Sequence, residues 1–205
     1  MICTIERLCV RRGGRPVVDG FELAVDRGEV VGIVGKNGCG KSTLLMAIAG
    51  VLAPTEGRVV IGGASVWGGA RERLRARTAL GYVPEAADPP GFLLAGELWA
   101  MCAASRGTEA PAPSLIDALG LDELRELAIE RMSLGQRRRA CLGAALLGPP
   151  QLLVLDEPDN GLDARRSDAL VELVRAHAAA GHAAIIATHD RALLERTGAR
   201  IVAFS

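Results

Sequence analysis

Val30-Val31-Gly32-Ile33-Val34-Gly35-Lys36-Asn37-Gly38-Cys39-Gly40-Lys41-Ser42-Thr43 is the stretch that decides the fold. Val30–Val34 is an apolar, β-branched run of strand type, and Leu44–Ala49 behind the loop reads as helix. The loop between them matches G-x-x-x-x-G-K-[ST], the phosphate-loop pattern, in the strand–loop–helix setting that gives it meaning. Glycines permit positive φ and let the backbone close around an anion. Successive N–H groups and the helix N-terminus then hold phosphates. Lys41 supplies a compact charge for β- and γ-phosphates, and the Ser42 hydroxyl is a ligand for Mg²⁺. On this reading Gly35, Asn37, Gly38, Cys39, Gly40, Lys41, Ser42 and Thr43 cradle a nucleoside triphosphate.

Composition supports the same reading from another side. The 205 residues carry 24 Lys+Arg and 24 Asp+Glu, a net charge of zero, with 49% apolar residues. That balance excludes a broadly basic nucleic-acid binder and gives enough apolar surface for a core. Only two lysines occur, Lys36 and Lys41, and both lie in the loop. A planar guanidinium fork does not replace a point charge inside a tight backbone nest, so Lys41 is the lysine that arginine cannot displace. The longest uncharged run, Ala140–Leu155, is 16 residues and is broken by Pro149-Pro150, short of the ~20 that a span needs. MICTIER offers no apolar leader core. A cytoplasmic chain with free thiols is therefore expected. The five cysteines show no metal-ligand spacing.

Outward from the loop, Ile2–Val10, Val17–Val25 and Arg58–Ile61 read as strands separated by glycine-rich turns. Leu152–Leu155 and Ala183–Ala187 are short, wholly apolar runs suited to parallel strands buried on both faces. Ala164–Ala180 reads as helix, as do Leu94–Ala104, Ser114–Leu119 and Asp122–Leu127 in a middle stretch rich in Pro and Gly breaks. The strand at 152–155 ends in Asp156-Glu157-Pro158. Carboxylates at the C-terminal end of a buried parallel strand sit where α/β sheets place active sites. Alternating side-chain direction gives Asp156 to Mg²⁺ and Glu157 to the attacking water.

With these residues assembled, the chain resembles the ATP-binding cassette (ABC) ATPases along essentially its whole length. The ordered motifs are GKNGCGKST, YVPE, MSLGQRRR, LLVLDEPDNGLD and ATHD. The resemblance implies an α/β fold: a P-loop NTPase (RecA-like) core with an N-terminal antiparallel β-subdomain and an inserted α-helical subdomain. It places the core and β-subdomain at 1–84 and 134–205, with 85–133 as the insertion, in one domain of residues 1–205. It further implies ATP and Mg²⁺, and a second ABC ATPase subunit that sandwiches two ATPs against the first. Ser133 and Gly135 of the signature would then reach the γ-phosphate across the dimer. Asp163 matches the D-loop, and His189 matches the switch histidine. An N-cap role for Ser133 and for Asp163 is the plainer reading of each. His177 and His182 have no such support and are expected in solvent.

Three departures from the family pattern stand out. Leu134 replaces the first glycine of the usual LSGGQ. Glu85 replaces the Q-loop glutamine; it is expected to hold Mg²⁺ through water and to steepen Mg²⁺ dependence. Val10–Asp19 contains no aromatic to stack on adenine, so Arg12 or Arg15 would offer a guanidinium plane with Val17 as apolar support, and weaker base discrimination follows. Arg137–Arg139 reads as the solvated face of the signature helix, with partner docking as the alternative. The signature and Glu85 are similar to the antibiotic- and drug-export branch, and the short chain is similar to haem-exporter-type ATPases. The function implied is the ATP-hydrolysing subunit of a transporter, docked from the cytoplasmic side on multispan permease subunits. Coupling would run beside Glu85 and the Phe92–Leu98 region. A soluble ABC-type ATPase without a transporter is the alternative.

Overall fold

The computed structural model describes residues 1–109 and 111–205. Two sheets organise the chain. An antiparallel sheet has the order β2-β1-β4-β5, built from β1 (Cys3–Arg12), β2 (Arg15–Val25), β4 (Glu56–Ile61) and the two-residue β5 (Ala64–Ser65). A parallel sheet has the order β6-β7-β8-β3-β9, from β3 (Val30–Val34), β6 (Leu80–Val83), β7 (Leu152–Asp156), β8 (Ala183–Ala187) and β9 (Arg200–Ala203). Strands β7 and β8 are buried at every position, as continuous apolar runs require when both faces are covered.

Helix α1 (Lys41–Ile48) lies between the sheets. Its Leu44, Leu45 and Ile48 share one core with Leu8, Val59 and Ile61 of the antiparallel sheet and Val31 and Ile33 of β3. The opposite face of the parallel sheet is covered by α3 (Ala95–Arg106), α4 (Pro113–Leu119), α5 (Leu134–Ala145), α6 (Ala164–Ala179) and α7 (Arg191–Thr197). Helix α2 (Ala70–Thr78) links β5 to β6. Trp99 of α3 is buried and donates to the Ala140 carbonyl of α5 at 2.9 Å. This approach is close because α5 has Gly143 there, where a Cβ would stand 3.2 Å from the indole nitrogen. Among the described residues no helix is long and apolar enough to cross a membrane.

Several sequence expectations are corrected. Asp122–Leu127 is not an α-helix; a 3₁₀ turn covers only Asp122–Leu124. The carbonyls that would continue a helix are taken instead by α3, since Gly96 N–H donates to Arg125 O and Ala95 N–H to Leu127 O. Arg137–Arg139 is not a solvated face. Only Arg137 reaches the surface, beside Asp88, while Arg138 and Arg139 are buried. His177 is not in solvent either. It completes the apolar stripe of α6 with Leu170, Val171 and Val174, and its ring stacks on His182 with centroids 4.8 Å apart.

Candidate active site

Four segments converge at the C-terminal edge of the parallel sheet, because each follows the end of a neighbouring strand: the loop after β3, Glu85 after β6, Asp156-Glu157 at the end of β7, and Thr188-His189 after β8. Side chains at this edge face one cleft. The cleft is about 620 Å³ and is lined by Arg12, Val17, Asn37, Gly38, Gly40, Lys41, Ser42, Thr43, Glu85, Asp156, Glu157, Asn160 and His189.

The phosphate loop is fixed from both sides. A Cβ at Gly35 would collide with the Phe204 carbonyl beyond β9. Gly40 has φ 109°, and a Cβ there would lie 2.6 Å from Val17 of β2. Lys41 Nζ is buried within the loop, donating to the carbonyls of Gly35 at 3.0 Å and Lys36 at 3.3 Å. Helix α1 starts from Gly40 with no side-chain cap and no acidic residue in its first turn. By contrast α5, α6 and α7 are closed by Ser133, Asp163 and Asp190, and α2 and α3 by the carboxylates of Glu72 and Glu97. An uncapped N-terminus carrying a lysine suits an anion.

Opposite the loop, Asp156 is buried and its Oδ2 has no hydrogen-bond partner among the described residues. Burial raises its pKa above the ordinary carboxylate value, the Ser42 hydroxyl works against that, and the negative Glu85 and Glu157 add to it. An orphaned carboxylate oxygen beside a serine hydroxyl fits a hard divalent cation such as Mg²⁺. Glu157 stands at φ 45°, one of two non-glycine residues with positive φ among those described. Its carboxylate meets the residues that follow β8. Glu157 Oε2 accepts from Thr188 Oγ at 3.0 Å and from the His189 N–H at 3.3 Å, and lies 2.8 Å from His189 Nδ1. A strained residue held by three contacts at a cleft is a feature of reacting sites.

The structure does not bring every expected residue into this cleft. Gly35 and Cys39 lie behind the loop, where the Cys39 thiol donates to the Phe204 carbonyl at 3.7 Å. Ser133, Gly135 and Asp163 lie outside the cleft's lining. Ser133 Oγ accepts from Gln136 N–H at 3.3 Å, and Asp163 accepts from Arg166 N–H at 2.8 Å, so both are N-caps within their own chain. Gly135 has a local reason to be glycine, because a Cβ there would collide with the Gly161 carbonyl. The signature turn and the Asp159–Asp163 segment are thus interlocked within one subunit. Sequence reasoning missed Asn160 and Thr188. The neighbouring Gly161 and His189 were the available signals for them. Nothing in the structure explains why residue 36 is lysine.

A strand, a glycine loop, an uncapped helix and a carboxylate pair on a strand of the same sheet define a P-loop nucleoside-triphosphatase. The ABC transporter family model matches residues 18–160, and the chain belongs to that family. A putative ABC transporter ATP-binding protein of Streptomyces avermitilis is 38% identical over 98% of this chain, which spans only 36% of that relative. The cytochrome c biogenesis ATP-binding export protein CcmA of Gluconobacter oxydans is 36% identical over 94% of this chain and 83% of its own length. The zinc import ATP-binding protein ZnuC of Magnetococcus marinus is 32% identical over 98% and 73%. A solved ATP-binding subunit of an ABC transporter superposes with TM-score 0.91 at 27% identity, covering 100% of this chain and 86% of that one.

Proposed function

We propose that the chain is the ATP-binding and ATP-hydrolysing subunit of a transporter, working as a pair of cassettes on multispan membrane subunits. The observation that carries this is the pairing of an uncapped, lysine-bearing helix N-terminus with an orphaned buried carboxylate across one cleft. Lys41 and the α1 N-terminus hold the β- and γ-phosphates. Ser42 and Asp156, with Glu85 through water, would hold Mg²⁺, which when bound neutralises the charge that develops on the phosphates. Glu157 takes the proton of the attacking water, and Thr188 and His189 keep its carboxylate in the turned conformation. Arg12 and Val17, which line the cleft, receive the base.

Ser133 and Gly135 serve the nucleotide of a second cassette, and Asp163 links the two sites. Leu134, 60% exposed at the start of α5, marks the same face as one that meets a partner. Export is the direction favoured, on the likeness of Glu85 and the signature to the export-type branch; relatives named for export and for import both match this chain. Phe92, 76% exposed beside α3, suits docking to a permease below the cell membrane. Phosphate release from ATP by the purified chain tests the reading. A rate that rises with ATP with a Hill coefficient above one is expected, since two sites close together. No release at any Mg²⁺ concentration would refute it.

A further inference from the structure

Arg138 is 2% exposed, yet among the described residues no carboxylate pairs with it. Its guanidinium instead donates to backbone carbonyls: Nη1 to Pro84 O at 2.7 Å, Nη2 to Glu85 O at 2.6 Å, and Nη1 to Asp156 O at a longer 3.5 Å. Burial works against the charge, and the carboxylates of Asp156, Glu85 and Asp159, near it without forming an ion pair, favour it only in part. The carbonyls it holds are not arbitrary. Pro84 and Glu85 belong to a segment without regular secondary structure, and Asp156 ends β7. The side chains of Glu85 and Asp156 both line the nucleotide cleft.

Two other arginines provide the contrast. Arg106 donates to the carbonyls of Ala144, Ala145, Leu147 and Leu80, and Arg139 to those of Leu119 and Gly120 and to Glu123. None of those partners lines the cleft. Most of them lie at the C-terminal ends of α4 and α5, with Leu80 at the start of β6. Arg138 alone of the three holds residues whose side chains lie in the cleft, and it sits on the helix whose first turn is Ser133–Gln136. Arg138 follows Ser133 by five positions along the chain, about 7.5 Å of rigid rod.

We infer that Arg138 is a positioning residue for ATP hydrolysis: its fork fastens the Glu85 segment and the end of β7 to α5, so that the state of the cleft is transmitted to the surface offered to the second cassette. This rests on the function proposed above. The fork is essential because two N–H groups on one plane reach the carbonyls of consecutive residues, whereas a lysine ammonium is a single point. Arg138 is not among the residues that line the cleft and acts through what it holds.

The test compares Arg138→Lys and Arg138→Gln with Arg106→Lys in the full chain, with ATP as the probe. For Arg138→Lys, ATP affinity stays within about twofold, while kcat falls by roughly 10- to 100-fold, the scale of a misplaced reacting group. In a Glu157→Gln background its ATP-driven dimerisation is lost as well. Arg106→Lys lowers the melting temperature and leaves kcat in place. Wild-type kcat and dimerisation in Arg138→Lys would overturn the inference, as would equal kcat losses in Arg138→Lys and Arg106→Lys at equal loss of melting temperature. A wild-type chain that neither hydrolyses ATP nor dimerises overturns the proposed function itself, which separates the two failures. If the variants do not fold, hydrogen exchange on the wild type decides. MgATP is expected to slow amides of residues 85–88 and 133–136 together, and slowing confined to 85–88 contradicts transmission.

Discussion

At the start of α1 the free backbone N–H groups face a cleft, whereas at the ends of α4 and α5 the free carbonyls are taken up by Arg106, Arg139 and Arg166. Both arrangements answer one geometrical fact, that a helix leaves four backbone groups unpaired at each end. At these C-terminal ends the chain satisfies them internally, with cations that arrive from 19 to 49 residues away. In the phosphate loop it leaves them for an anion from outside. The difference separates what is built for stability from what is built for binding, and it sorts the expected effects of mutation.

The largest effect is expected where the ligand supplies the missing charge. Lys41→Arg keeps the charge but forces a wide fork into a nest that closes on the Gly35 and Lys36 carbonyls. Turnover should fall by about 100-fold or more, the scale for losing one preorganised group, with the melting temperature unchanged. A stable variant with normal turnover would break the distinction from one side. Arg106→Met tests the other side. It strands four carbonyls, so stability should drop by on the order of 3 kcal/mol. The melting temperature then falls by roughly 6–12 °C while ATP affinity holds. A change in affinity instead of stability would merge the two regions.

A smaller effect concerns His177. Burial first, then the neighbouring His182, pushes its pKa from 6.5 down to about 4, so the folded chain keeps it neutral where the unfolded chain protonates it. The unfolded state therefore binds more protons between pH 6.5 and about 4, and stability is lost as pH falls through that window. His177→Phe should flatten the melting temperature in that window relative to wild type, and parallel curves would contradict this.

The phosphate loop, the buried strands at 152–156 and 183–187, and the carboxylate pair were legible because each is a contiguous run whose chemistry is local. The α/β class followed from them. Helix α2 was not legible, since ARERLRART buries only Ala76 and shows no apolar stripe. Strand β5 is two residues long. The arginines misled for a different reason. A basic run normally marks a solvated face, but α5 is buried at every position from Arg138 to Ala145, and the polar run sits inside an enclosed helix. The apolar ACLGAALLG that follows was the available signal. His177 likewise shares the spacing of Leu170, Val171 and Val174, which a lone histidine hides. The positive φ of Glu157, and its consequent turn towards His189, depends on the packing of β7 beside β8 and leaves no trace in residue order.

The central claim is that Glu157 acts on water in a cleft that binds ATP without it. The direct measurement is light scattering and phosphate release for Glu157→Gln beside wild type, with MgATP. The account predicts a stable, ATP-dependent dimer with turnover reduced by about 100-fold or more, the cost of removing a positioned general base. Near-wild-type turnover in Glu157→Gln, or a failure to bind ATP at all, would contradict it.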